Sequence, residues 1–266
     1  MNQGRSQKGP VASSLGFFFL LPMIPVVLWV FANHWSYPER LPQSWGLHGI
    51  TQFLSEGSAA ALAKSIFLGS MVAVIAVPLS SLAAASLVRS KSVLARLVET
   101  LIFWPVVIPP FALVMGLSPW VIRLGVPSQL AVVVTLVVLA LPYSMFIMRS
   151  AYARYDPRWE EEARLLGATR FGAQHRVRIR IMTRPFLTAA AIAFLVGWTD
   201  YIVTLVIGGG QLITLPMLAA SESSAPGNDS VLAFMSLISM ALPLIGLALI
   251  RRNEPASKIS KNGSVS

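Results

Sequence analysis

Six apolar stretches, each about 20 residues long, dictate what this chain can fold into, because that is the length a helix needs to cross the hydrocarbon of a bilayer. They run roughly over Gly16–Ala32, Ser65–Val88, Thr100–Ile122, Val126–Met148, Phe186–Ile207 and Val231–Ile250, and Asp200 is the one charged residue inside them. Of 266 residues, 55% are hydrophobic and 12% charged, with a mean hydropathy of +0.67. That is too little charge to cover a soluble protein of this length. Continuous apolar runs point to helices, since a transmembrane barrel shows short alternating segments. The Pro and Gly within most runs are tolerated in a helical bundle, where neighbours re-satisfy the freed backbone groups. The expectation is an all-α integral membrane protein with six transmembrane helices. The first run has a second reading as a signal peptide; Pro22, Pro25 and a bulky tract from Val26 to Trp35 without a small-residue cleavage site argue for a retained span.

Charge gives the topology. With the N-terminus inside, the inner segments hold Arg5 and Lys8; Arg89, Lys91 and Arg96; the arginines from Arg149 to Arg184; and Arg251, Arg252, Lys258 and Lys261. These are 18 of the 21 basic residues, leaving Arg40, Lys64 and Arg123 outside. Positive charge gathers on the cytoplasmic face, so both termini and the 149–185 loop are expected there. A pI near 10.7 then reflects this rule and attraction to anionic lipid. Nucleic-acid binding is not indicated, because no basic–aromatic platform or DNA-reading motif is present. Zero cysteines exclude disulfides and thiolate metal sites. The expected organisation is a cytoplasmic N-terminus (1–15), one transmembrane domain (16–250) and a polar, disordered cytoplasmic tail (251–266). The outer segment Asn33–Ala63 has room for a short interfacial helix. Trp29, Trp35 and Trp45 suit the outer interface, and Trp104, Tyr152, Tyr155 and Trp159 the inner one. Pro109-Pro110 is expected to kink or break the third span.

Residues 155–185 form a basic, polar island, YDPRWEEEARLLGATRFGAQHRVRIRIMTRP, between two apolar stretches. Asp156-Pro157 is a helix start signal. Glu160, Glu161 and Glu162 follow where the helix dipole favours anions. Trp159, Ala163 and Leu166 recur at i, i+4 and i+7 as a short apolar face. Gly167 ends or turns this helix, and Thr169 caps a second one that runs toward the fifth span. Arg176, Arg180 and Arg184 then share one face. The alternation from Val177 to Ile181 also fits a strand, but an isolated strand has no partner. Two short helices with a glycine between them make a compact knob that can transmit a push. The bland alternative is an amphipathic helix riding on lipid headgroups, against which three clustered glutamates argue.

This island resembles the EAA loop in permease subunits of binding-protein-dependent ABC importers. That family's pattern is Glu-Ala-Ala, three residues, Gly, nine residues, then Ile-x-Leu-Pro. Glu161, Ala163 and Gly167 match; Glu162 replaces the middle alanine; Val177 and Ile179 keep the apolar character; Arg180 replaces the proline. A second stretch, Ile207-Gly208-Gly209-Gly210 followed by Thr214-Leu215-Pro216, is similar to one in polyamine, ferric-iron and thiamine permeases. The resemblance implies the type I ABC importer permease fold with a cytoplasmic coupling loop over 150–185. It implies that Glu160, Glu161, Glu162, Ala163, Leu166, Gly167 and Ala168 meet a cytoplasmic ATPase dimer, whose closure on ATP rocks the helices. Partners would be that ATPase, a second permease (identical or paralogous), an extracytoplasmic solute-binding protein and membrane lipid. ATP and Mg would bind the ATPase subunit and no cofactor this chain, and the solute would be cationic.

Enzymatic motifs are missing. A phosphate-cradling loop needs GxxxxGK[ST], and Ala173-Gln174 follow Gly167 and Gly172 where Lys and Ser or Thr are required. No Gly-x-Ser-x-Gly elbow occurs. His34, His48 and His175 lie far apart, so neither a metal site nor a catalytic residue is assigned. Asp200 lies 14 residues beyond Phe186, about 21 Å along a helix. A charge at mid-bilayer costs about 2.5–3.5 kcal/mol, so it should face a cavity or a partner. Trp198, Thr199, Asp200 and Tyr201 are therefore candidates for the translocation path; a structural hydrogen bond is the other reading of Asp200. The competing function is a stand-alone secondary transporter or channel, which would place several polar groups at midplane.

Overall fold

Apolar periodicity, prolines and caps divide the chain into helices, and a computed structural model describes residues 18, 21–36, 38–55, 57–225 and 227–252. In chain order these hold α1 (Met23–Val30), β1 (Ala32–His34), β2 (Ser44–Trp45), α2 (His48–Ser55), α3 (Ser58–Leu87), α4 (Val93–Val107) and α5 (Pro110–Arg123). There follow α6 (Ser128–Ala153), α7 (Arg158–Leu165), α8 (Arg170–Trp198), α9 (Ile202–Val206), α10 (Leu215–Glu222) and α11 (Asp229–Arg252). The centre is the mutual packing of α3, α6 and α8. Leu68, Val72 and Ala76 of α3 meet Val132, Leu136 and Met145 of α6 and Ala189 and Ala193 of α8 in one buried cluster. A second cluster joins Phe53, Trp198, Leu215, Val231 and Met235. Many outward residues stay apolar, including Leu82, Val107 and Ile122. Lipid is as apolar as leucine, so hydrocarbon leaves such residues stable on the outside.

Among the described residues, four helices are long and apolar enough to cross a membrane: Ser58–Leu87, Ser128–Ala153, Arg170–Trp198 and Asp229–Gly246. A fifth arises if α4 and α5 count as one broken span. The first expected span is described only in part, and the tail beyond Arg252 and the segment 1–15 lie outside the described residues.

The third span breaks at the expected place, by 107° between α4 and α5. Ile108 (ψ 129°) and Pro109 (ψ 131°) each precede a proline and are extended, because the proline ring disfavours helical geometry in the residue before it. Pro110 then opens α5, where its missing N–H costs nothing.

The fifth span differs from expectation. A helix over Phe186–Ile207 is not what forms. Instead α8 runs unbroken from Arg170 through Pro185 to Trp198, so the basic second helix of the island and the apolar span are one rod. Val177–Ile181 is helical within this rod, the reading favoured over a strand. The rod stops at Thr199, and α9 restarts at Ile202. The cause is Asp200: its carboxylate accepts the amides of Val203 and Thr204, offering the backbone an alternative to a continued helix.

Outside the long helices, β1 and β2 pair as a short antiparallel hairpin, Ala32 opposite Trp45 and His34 opposite Ser44. The Asn33 side chain accepts the His48 amide at the start of α2, the short helix anticipated in this segment. Trp29 and Trp35 stack at 4.8 Å.

Candidate functional site

The elbow between α7 and α8 is fixed at both ends by local hydrogen bonds. The Asp156 carboxylate accepts the Arg158 amide at 2.9 Å, satisfying a donor that a helix start leaves free. At the other end the Gly167 amide donates to Arg164 O and the Ala168 amide to Ala163 O, both at 3.0 Å. This pair is the Schellman arrangement. It needs Gly167 at φ +92°, a left-handed conformation that costs a side-chain-bearing residue about 1–2 kcal/mol. Thr169 then caps α8 by accepting the Gly172 amide at 3.1 Å. No freely jointed residue separates the two helices.

What the elbow shows to solvent is partly apolar. Leu165 is 87% exposed and Leu166 90%. Glu161, Glu162 and Ala168 are also exposed, and Ala163 is half-buried. Of the apolar face expected from Trp159, Ala163 and Leu166, Leu166 is left uncovered by this chain, while Ala163 is half-buried and Trp159 meets the Tyr155 ring. Glu160 differs from its neighbours. It is half-buried and accepts the Tyr155 hydroxyl at 2.5 Å. Tyr155, placed by composition alone in an interfacial belt, is buried against Ala151 and Met182. Its ring meets Trp159 edge-on at 5.8 Å. Burial pushes the phenol above its ordinary pKa and the Glu160 carboxylate adds to the shift, which keeps Tyr155 a donor.

A cavity of about 620 Å³ opens between α4, α6, α8 and the break before α9. Ile108, Tyr143, Leu195, Thr199, Asp200 and Tyr201 are among its walls. Asp200 is not free there: besides the two amides it accepts the Thr204 hydroxyl at 2.7 Å. Thr199 returns its own hydroxyl to Leu195 O at 2.8 Å. Trp198 is directed elsewhere. It is buried, stacks on Phe194 and donates its indole N–H to Ser239 O on α11 at 3.0 Å. Of the four candidates, the cavity brings Thr199, Asp200 and Tyr201 together and leaves Trp198 in the packing behind them.

The Gly-rich stretch turns through Gly209 and Gly210, both at positive φ. The Leu215 amide then donates to Ser65 Oγ of α3 at 2.8 Å, a tie between residues 150 positions apart that no local pattern signals. Glu99 of α4 forms an ion pair with Arg149 of α6. Among the described residues, no three His, Cys, Asp or Glu side chains gather as a metal site.

Long apolar helices, a broken third span and a glycine-turned polar elbow define a helical protein suited to spanning a membrane. The chain belongs to the family described as "Binding-protein-dependent transport system inner membrane component", which it matches over residues 76–259. It is thus an ABC transporter permease subunit. It is 36% identical over 148 residues to the inner membrane ABC transporter permease protein YnjC of Escherichia coli K12, covering 54% of this chain and 28% of that one. It is 26% identical over 195 residues to the probable ABC transporter permease protein y4fN of Sinorhizobium fredii, covering 68% and 33%. The chain therefore spans a third or less of the length of these two relatives. YcjP of Escherichia coli K12, another inner membrane ABC transporter permease protein, is 23% identical over 216 residues, covering 79% and 76%. The fold is similar to that of a chain in a bacterial ABC transporter that imports the acidic polysaccharide alginate, with a TM-score of 0.59 at 14% identity over 93% of this chain and 94% of that one.

Proposed function

We propose that this permease forms one half of the solute pathway of an importer and couples closure of an ATPase dimer to alternating access through the elbow at 156–180. The observation that carries the reading is a rigid elbow with its apolar tip uncovered. Leu165 and Leu166 are almost fully exposed on a segment too charged to enter hydrocarbon, and exposed apolar groups rimmed by polar ones mark a protein contact. Glu161, Glu162, Ala163, Gly167 and Ala168 complete the docking face. ATP and Mg belong to the ATPase, and this chain binds no cofactor. A second permease, identical or paralogous, closes the open side of the cavity, an extracytoplasmic binding protein delivers solute, and lipid surrounds the rest. Both termini are cytoplasmic in a bacterial inner membrane, with residues 16–250 as the transmembrane domain.

The solute is a cation of the polyamine, ferric-iron or thiamine kind. Support comes from the lone acid in the cavity wall and from the Gly-Gly-Gly and Thr-Leu-Pro stretch. A second reading of Asp200, as a helix cap only, is favoured by its three local hydrogen bonds. The alternative of a self-sufficient carrier is addressed by the same experiment as the elbow. The chain is purified with its ATPase subunit, then compared with a Leu165→Asp, Leu166→Asp double variant. Loss of the ATPase from the variant, with the membrane fold intact, supports docking at the elbow. An ATPase that stays fully bound contradicts it.

A further inference from the structure

The elbow is useful as a lever only if α7 cannot swing freely on its own caps. Its Schellman turn and the Asp156 cap set its shape, but neither reaches the bundle. One residue does. The Tyr155 ring is buried between α6 and α8, against Ala151 and Met182, with Tyr152 and Phe186 packed beside them. Its hydroxyl donates to the Glu160 carboxylate of α7, and its ring meets Trp159 of the same helix. From this pocket the contacts continue inward. The Arg178 guanidinium of α8 lies over the neighbouring Tyr152 ring at 5.3 Å. The Tyr152 hydroxyl is 2.9 Å from Ser81 Oγ on α3. A continuous set of contacts thus runs from α7 through Tyr155 and Tyr152 to the three central helices.

We propose that Tyr155 is the positioning residue that ties the elbow to the bundle, with Glu160 as its acceptor rather than a docking contact for the ATPase. This rests on the coupling reading above and deepens it. A phenol donating to a carboxylate is stronger than a neutral pair and directional. It holds α7 at one angle to the central helices, so a push on Leu165 and Leu166 moves the bundle instead of rotating α7. Glu161 and Glu162, exposed on the outside, remain available to the ATPase.

The absence of cysteine from the sequence makes the test simple. A Tyr143→Cys reporter, half exposed in the cavity wall, is labelled with a maleimide in the full complex, with ATP and Mg plus vanadate or without nucleotide. In Tyr155→Phe and Glu160→Ala backgrounds the ATPase stays bound and hydrolyses ATP. The nucleotide-dependent change in labelling falls roughly tenfold, the scale of one lost charge-assisted hydrogen bond. Glu160→Gln, which can still accept, keeps most of the change. An unaltered change in Tyr155→Phe overturns the tie. Release of the ATPase by Glu160→Ala but not by Tyr155→Phe makes Glu160 a docking residue and also overturns it. If the complex with native Tyr155 and Glu160 shows no nucleotide response, the coupling reading fails and this inference with it; a responsive one isolates the failure to Tyr155.

Discussion

Gly197 of α8 lies directly against Gly69 of α3: a Cβ at Gly197 would sit 2.9 Å from the Gly69 Cα, and one at Gly69 would sit 2.9 Å from Phe194 O. The two helices touch backbone to backbone, as close packing in lipid favours. Gly197→Ala or Gly69→Ala has no flexible side chain alone to displace. Each is expected to destabilise the purified protein by about 1–3 kcal/mol, read as a lower melting temperature in detergent. A Gly246→Ala control, inside α11 with nothing within 4 Å of its added Cβ, should not lower the melting temperature, since Ala favours a helix interior over Gly.

Gly167 presents the opposite case. There is open space around it, but its φ is +92°, so only backbone strain opposes substitution. Gly167→Val should weaken ATPase retention well below the native level, because the Schellman turn would have to open. Gly167→Asn, which tolerates the left-handed region better, should retain more. Equal retention of the two variants would show that the turn does not set the docking geometry.

Ser65 and Leu215 are joined across the core by a buried 2.8 Å hydrogen bond. Ser65→Ala leaves the Leu215 amide unsatisfied, which costs about 1–3 kcal/mol. The expected result is a clear loss of thermal stability with the helical circular dichroism preserved.

Asp200 separates a structural from a transport role. Asp200→Ala removes all three accepted bonds, and a lost helix cap costs about 0.5–2 kcal/mol. Asp200→Asn keeps one acceptor oxygen and should retain most of that stability. If the carboxylate meets a cationic solute, Asp200→Asn should nonetheless reduce ATP-dependent uptake. Uptake at the native level would leave the cap as its whole function.

Tyr155 predicts a pH dependence with a definite sign. Its folded-state pKa is raised, chiefly by burial, so above about 10 the unfolded chain releases a proton that the native state keeps. The contribution is complete below that pH and is lost as pH rises further. Melting curves from pH 8 to 11 should show the native protein and the Tyr155→Phe variant converging above pH 10. A gap that widens with pH would contradict the assignment.

The elements that local chemistry dictates were legible in the chain. Pro109-Pro110 announced the break, Asp156-Pro157 and Thr169 the two helix starts, and Gly167 the turn, because each acts within a few residues. The end of the fifth span was not legible. Apolar periodicity continues through Ile207, and only the particular bonds of Asp200 to Val203 and Thr204 reveal that its carboxylate breaks the helix. Trp198 looked like its neighbours for the same reason: one residue along a helix rotates the side chain by roughly 100°, here from the cavity to α11. The burial of Tyr155 against Met182 and the bond of Ser65 to Leu215 join residues 27 and 150 positions apart, and spacing along one sequence carries no record of such contacts.

The most direct test replaces the segment from Glu161 to Gly167 with a flexible glycine–serine tether in the reconstituted complex. Labelling of the Tyr143→Cys reporter is then followed as ATP is added. The account predicts that the native elbow gives a nucleotide-driven change and that the tethered protein gives none. An equal change in both would contradict it.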